Sequence, residues 1–202
     1  SSDLLGHLDP DLYKVARDSP TPSRTSEYLL LSIFIAGANQ LMQNSLVKWI
    51  LWAGDVSTAF LQGAFDENER TEPLYLLPPR DQITLMAKTF MSKLYKVKSN
   101  IYGLANAPRT WFLEVVRRMK PINYLQHSLD HLLFYKIEAG ELVSVCIVYV
   151  DDFLLTCRET YTKSELLDLF TWGSQKQLSL EQPLEFKGKE LKIGRASCRE
   201  RV

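Results

Sequence analysis

The sequence predicts an α+β fold, and three observations carry that prediction. Helical and strand-like segments interleave without a regular βαβ rhythm, which disfavours a doubly wound parallel sheet. Two apolar runs, Leu132–Ile137 and Leu142–Val150, flank Glu138-Ala139-Gly140-Glu141, a turn of hairpin length that implies antiparallel pairing. The 202 residues, with 46% hydrophobic and 24% charged side chains, have an ordinary globular composition and length for one sizeable domain. No apolar run approaches the ~20 residues of a membrane span. Ser1–Leu12 lacks a signal-peptide pattern. Three cysteines make no disulfide framework, so a reducing compartment is the default, and the three scattered histidines leave no zinc spacing.

Taken in order, Ser1–Arg24 is rich in Asp, Ser and Pro and reads as loop. A helix follows, opened near Pro22 or Thr25. Leu30, Ile33, Phe34, Ala38 and Leu41 mark one face of it, while Leu29, Leu31 and Ile35 make the others apolar, so burial on most sides is expected. Trp49–Ala53 reads as a strand that ends at Gly54-Asp55. After Ser57–Gly63 comes a polar loop, then Leu74–Leu77, closed by Pro78-Pro79. Asn106–Lys120 has the clearest helical pattern. Asn106 suits the cap, Pro108 is tolerated in the first turn, and Pro121 stops the helix. Phe112, Val115, Val116 and Met119 form its apolar stripe. Phe153–Cys157 is a strand reached directly from Asp151-Asp152. Thr162 and Glu165 form a capping box before Leu166, Leu167 and Phe170. Leu184–Lys192 reads as a strand pair about Gly188. Ile193–Val202 fits no preceding pattern; it resembles a reading frame through a sequencing adapter and is set aside.

Formal charge sums to zero, yet it is unevenly spread. Residues 88–120 carry Lys88, Lys93, Lys96, Lys98, Arg109, Arg117, Arg118 and Lys120 against Glu114 alone. Such an excess suits a polyanion-binding face, and it equally suits a solvated helix surface. The acidic side is more pointed. Asp55 ends an apolar strand, and Asp151-Asp152 interrupt another. A carboxylate at the edge of an apolar sheet is costly unless it is solvated, hydrogen-bonded or bound to a cation. Two adjacent carboxylates in a tight turn repel each other, and a divalent metal is the usual remedy. Taken alone, an Asp-Asp turn is far more often plain turn chemistry, because Asp hydrogen-bonds its own backbone.

Three stretches stand in order along the chain: Asp55-Val56-Ser57-Thr58-Ala59-Phe60-Leu61-Gln62-Gly63, Ile101-Tyr102-Gly103-Leu104-Ala105-Asn106-Ala107-Pro108-Arg109-Thr110-Trp111, and Tyr149-Val150-Asp151-Asp152. With this spacing the chain resembles the reverse transcriptases of copia-type retrotransposons, over about Asp18 to Lys192. Ser128-Leu129-Asp130 to Phe134 is similar to the family's stretch before the last motif. The resemblance implies a polymerase palm, an antiparallel sheet packed on helices, with partial fingers. Residues 1–24 are then a loop or part of the fingers, residues 25–192 the palm with part of the fingers, and residues 193–202 a tail foreign to the domain. It implies Asp55, Asp151 and Asp152 as catalytic carboxylates. Together with the Val56 carbonyl they would hold two Mg²⁺ ions, with Mn²⁺ as a substitute. The chemistry is nucleotidyl transfer onto a primer 3′-hydroxyl.

By the same resemblance Phe60 lies beneath the incoming sugar and excludes a 2′-hydroxyl, while Tyr102 and Gly103 line the nucleotide and template. Lys93, Lys96, Lys98, Arg109, Arg117 and Arg118 are candidates for contact with template or primer. Phe186-Lys187-Gly188-Lys189 resembles a turn that steadies the primer. The implied partners are an RNA or DNA template-primer and dNTPs, without a membrane, in a cytoplasmic particle or the nucleus. Integrase and ribonuclease H regions belong to such polyproteins. No basic triphosphate-gripping segment is found before Arg24 and no thumb pattern follows Lys192, so the chain is expected to hold the chemistry without all of the grip. Two alternatives stay open on the residues: a transposon remnant that binds nucleic acid without catalysis, and another palm-type nucleotidyl transferase such as a cyclase. The second would need neither Phe60 nor Tyr102-Gly103.

Overall fold

The computed structural model describes residues 15–40, 48–63, 73–76, 94–161 and 164–194. These divide into two compact units, Ser1–Ser19 with Thr58–Val115 and Pro20–Ser57 with Val116–Val202.

The second unit is built on a six-stranded antiparallel sheet. In chain order its strands are β1 (Trp49–Val56), β4 (Leu125–Gln126), β5 (Leu133–Glu138), β6 (Glu141–Tyr149), β7 (Asp152–Arg158) and β8 (Trp172–Gln177). In space the order is β4-β5-β6-β7-β1-β8. Helix α1 (Arg24–Gln40), the short α4 (Ser164–Leu167) and the hairpin of β9 (Leu184–Phe186) and β10 (Lys189–Leu191) complete the unit. The expectation of an antiparallel sheet with helices is met.

Alternation along the strands explains the two cores. Leu51, Ala53, Leu133, Val145, Ile147 and Leu154 point to one face and pack with Leu30 of α1 and with Leu184 and Phe186 of β9. On the other face Trp52, Phe153, Phe170 and Trp172 form an aromatic cluster, with Trp52 and Trp172 edge-on at 5.1 Å and Phe153 and Trp172 at 5.2 Å. Strands covered on both faces read as continuous apolar runs, which is why β1, β6 and β7 stand out in the sequence. The β5–β6 turn is Ala139-Gly140, with φ of 49° and 81°, and Glu138 pairs with Glu141 across it. Both central residues are left-handed, as a two-residue hairpin of matching twist requires.

Helix α1 starts at a built cap. The Ser26 N–H donates to Ser23 Oγ at 3.1 Å. The helix is not buried on most sides: Leu30 is fully buried, but Tyr28, Leu29 and Ile35 are exposed. Only one stripe of α1 meets the sheet, and apolar residues elsewhere on it stay on the surface. In α3 (Ala107–Met119) Val115 and Met119 of the expected stripe are fully buried, but the rest of the buried row differs. The row is Ala107, Trp111, Val115 and Met119, with Phe112 and Val116 half-buried. Glu165 accepts from Lys136 Nζ at 2.8 Å, while its expected capping partner Thr162 lies outside the described residues. β8 leaves no strand signal in the sequence, because five of its six residues are exposed and it lacks an apolar period.

The first unit contains α2 (Ala59–Gln62), the antiparallel pair β2 (Tyr75–Leu76) and β3 (Tyr95–Lys96), and the opening turns of α3. The expected Pro78-Pro79 closure of β2 lies outside the described residues.

Asp130, from the stretch preceding β5, locks α1 to the sheet. Its Oδ2 accepts from the Ser23 N–H at 2.8 Å and from the Ser26 hydroxyl at 2.5 Å, and its Oδ1 accepts from the Leu132 N–H at 3.1 Å. Burial alone would raise its pKa, but the hydrogen bonds from Ser26, Ser23 and Leu132 outweigh it and hold the carboxyl below the usual range. A carboxyl lowered in the folded state adds stability above its unfolded value, near 4, and that stability is lost as pH falls through the folded value. Asp130→Ala is therefore expected to lower stability at pH 7 by roughly 1–3 kcal/mol. The loss should shrink in acid when urea unfolding is followed at both ends of that range.

Candidate metal centre

Strand register creates the site. β1 and β7 pair with Asp55 directly opposite Asp152, and β6 and β7 pair with Tyr149 opposite Asp152. Asp55 has the parity of Leu51 and Ala53, and Asp152 that of Leu154, so both carboxylates leave the sheet on the α1 face, where the apolar core ends. The β6–β7 connection is Val150-Asp151. Val150 adopts φ 56°, the left-handed region. For a β-branched residue that conformation is an outlier, and it stores on the order of 1–3 kcal/mol. The Asp151 carbonyl accepts the Val56 N–H at 2.8 Å, tying the loop to the end of β1.

One carboxylate oxygen each from Asp55, Asp151 and Asp152 lies within 4.8 Å of the others, and all three residues are half-buried. Neighbouring strand residues point apart, but Asp151 sits in the loop rather than in β7, so it joins Asp152 on one side. Among the described residues this is the one group of three or more side chains placed to hold a metal.

The Asp152 carboxylate is oriented from below. Its Oδ2 accepts the Lys187 N–H at 3.1 Å from the β9–β10 turn, where Lys187 and Gly188 have φ of 54° and 68°. The Lys187 ammonium pairs with Glu27 of α1 and lies over the Tyr149 ring at 4.4 Å. The Lys187 side chain is thus engaged within the unit.

Electrostatics point the same way as geometry. Burial, then the charge of Asp151, pushes the Asp55 carboxyl above its ordinary range. Burial also raises Asp152; the Lys187 amide pulls it back, and Asp151, Asp55 and Glu185 raise it further. Like charges directly opposite on one face of a sheet destabilise it. Hard oxygen donors crowded in this way suit a hard divalent cation, so the donor set fits magnesium. Beside the carboxylates opens a cavity of about 250 Å³, lined by Gly54, Asp55, Asp152, Ser174, Lys176 and Glu185. Ser174 and Lys176 were missed in the sequence because β8 was missed.

The other candidates fall as follows. Val56 is buried at the end of β1. Phe60 is half-buried in α2, and its ring meets that of Tyr102 at 4.9 Å, so two of the quoted stretches touch within the first unit. Tyr102 is exposed, and Gly103 has φ 92°. Lys96 and Lys98 are exposed. Arg109 Nη1 donates to the Asp18 carbonyl at 3.2 Å. Arg117 is exposed on α3, whereas Arg118 donates to the Leu169 carbonyl at 2.7 Å and covers the Phe170 ring at 5.3 Å. Lys93 lies outside the described residues.

Comparison with known proteins gives the family. Residues 38–171 match the model of the family described as reverse transcriptase (RNA-dependent DNA polymerase). The chain belongs to this family. Its relatives include the retrovirus-related Pol polyprotein from transposon RE2 of Arabidopsis thaliana, 30% identical over 121 residues, which are 60% of this chain and 8% of that polyprotein. The Pol polyprotein from transposon TNT 1-94 of Nicotiana tabacum is 30% identical over 105 residues, 52% of this chain and 7% of its own length. The putative transposon Ty5-1 protein of Saccharomyces cerevisiae is 30% identical over 101 residues, 50% of this chain and 30% of its own. This reverse transcriptase is therefore of the copia type, and it spans under a tenth of the plant polyproteins it matches. No solved structure matches it.

Because Asp55 and Asp152 are raised in the folded state, their ionisation lowers stability as pH rises through their folded values. Asp55→Asn is expected to raise the thermal midpoint in EDTA at pH 7, with a smaller gain in acid, where protonation of the carboxyls relieves the repulsion. A lower midpoint at pH 7 contradicts the repulsion.

Proposed function

We propose that this chain carries the palm of an RNA-directed DNA polymerase, with part of the fingers, over residues 25–192, and that it transfers deoxynucleotides onto a primer 3′-hydroxyl. The observation that supports this reading is the gathering of Asp55, Asp151 and Asp152 at one end of an antiparallel sheet. Asp55, Asp151, Asp152 and the Val56 carbonyl would hold two Mg²⁺ ions, which when bound neutralise the triphosphate and favour the ionised 3′-hydroxyl.

The chain's own groups do the positioning. The Lys187 amide fixes the Asp152 carboxylate, and the Val56 amide fixes the loop that presents Asp151. A ring at Phe60 leaves no room for a 2′-hydroxyl, and Tyr102 and Gly103 line the nucleotide and template. Lys93, Lys96, Lys98, Arg109 and Arg117 contact the phosphate backbone of template and primer, a role that fixes position without reading sequence. Arg118 is given no part in this, since its guanidinium is held by Leu169 and Phe170.

Extension of a primed RNA with dNTPs and Mg²⁺ tests the reading. Asp55→Ala or Asp151→Ala is expected to reduce extension by at least roughly 10²–10³-fold, with template-primer binding nearly unchanged by fluorescence anisotropy. Unchanged extension overturns the assignment, and binding by the parent chain without synthesis favours a catalytically silent remnant. Phe60→Ala is expected to admit ribonucleotides into the product. Equal exclusion by that variant removes Phe60 from the reading.

A further inference from the structure

β8 runs beside β1 with a break in register. Ser174 pairs with Asp55, but Trp172 pairs with Val56, so Gly173 is an extra residue facing the single step from Asp55 to Val56. This is a β-bulge, and it separates two jobs. By plain alternation residues 172 and 174 would share a face. The extra residue instead sends Trp172 into the aromatic cluster and Ser174 toward the face that carries Asp55.

The bulge brings the backbone of Gly173 against the carboxylate. A Cβ at Gly173 would stand 2.8 Å from Asp55 Oδ2, inside van der Waals contact, while its next neighbours, the Asp55 carbonyl and the Ser57 Cα, would lie at 3.7 and 3.8 Å, ordinary contacts. Gly173 is not among the glycines with positive φ, so an alanine can adopt its backbone conformation. The glycine is needed for room, and the room belongs to one carboxylate oxygen.

We propose that Gly173 is a positioning residue for Asp55: the absence of a side chain at the β8 bulge lets the Asp55 carboxylate take the rotamer that converges on Asp151 and Asp152. A methyl group there turns the carboxylate about its own side-chain torsions, which is cheap for the fold because the far end of a side chain moves, and damaging to the cluster. This proposal rests on the reading of the three carboxylates as a metal centre.

The test is binding of Mn²⁺ to the whole chain, followed by the electron paramagnetic resonance of the free ion, with circular dichroism and the thermal midpoint measured alongside. Gly173→Ala is expected to weaken Mn²⁺ binding roughly 10–100-fold, the range found when a group that orients a metal ligand is lost. Gln175→Ala, exposed on the same strand, should leave it unchanged. In an Asp55→Ala background Gly173→Ala should have no further effect, since the atom it meets is gone. Should Gly173→Ala lower the thermal midpoint, Asp55→Ala must restore it; a midpoint that stays low overturns the proposal. So does a parent chain that binds Mn²⁺ alongside a Gly173→Ala variant that binds it equally well, or an equal loss in the Asp55→Ala background. A parent that binds no more tightly than Asp55→Ala overturns the metal reading, and the proposal with it.

Discussion

Pairing of β1 with β7 is the constraint on which the site depends. The register that sets Asp55 opposite Asp152 is the same register that sets Ala53 opposite Leu154 and Trp52 opposite Leu155. Each strand is apolar on both faces, and the faces are chemically distinct: aliphatic side chains meet α1 on one, and aromatic rings meet on the other. A slip of one residue would exchange the faces along the whole strand and turn Asp55 toward the tryptophans. The register that the hydrophobic core enforces thus also sets where the carboxylates emerge.

Several features of the site oppose stability locally. Two carboxylates face each other across a strand pair, a third joins them from a two-residue loop, and Val150 holds a left-handed backbone conformation to make that loop. What holds them lies around the rim. The Val56 amide binds the loop carbonyl, and the Lys187 amide binds Asp152. The Lys187 ammonium reaches Glu27, so the start of α1, the β9–β10 turn and the β6–β7 hairpin are joined at one point. Asp130 anchors the same helix from its N-terminus. Strain concentrated where function is expected, and supported by its surroundings, is the pattern such sites show.

Much of this was legible in the sequence. The strands buried on both faces announce themselves by unbroken apolar runs, and Asp55 and Asp151-Asp152 stand out because they end those runs. Ala139-Gly140 reads as a hairpin because the spacing leaves no longer loop. Other features were hidden for physical reasons. β8 is an edge strand with five of six residues exposed, so it carries no hydrophobic period, and with it Gly173, Ser174 and Lys176 stayed out of sight. A bulge is a property of two strands in register and cannot be read from one. Apolar residues on all sides of α1 suggested burial, yet Tyr28, Leu29 and Ile35 are exposed, since an apolar side chain does not by itself create a partner. In α3 the expected Val115 and Met119 are buried, but Ala107 and Trp111 complete the row in place of Phe112 and Val116, a difference that periodicity over so short a helix does not resolve.

The central claim is that Asp55, Asp151 and Asp152 share a divalent cation. Anomalous scattering from crystals of the chain grown with Mn²⁺ tests it most directly. The account predicts a strong manganese peak bonded to oxygens of all three carboxylates, at the end of β1 and β7. A manganese peak bound elsewhere, with these three carboxylates contacting only solvent or protein, would contradict it.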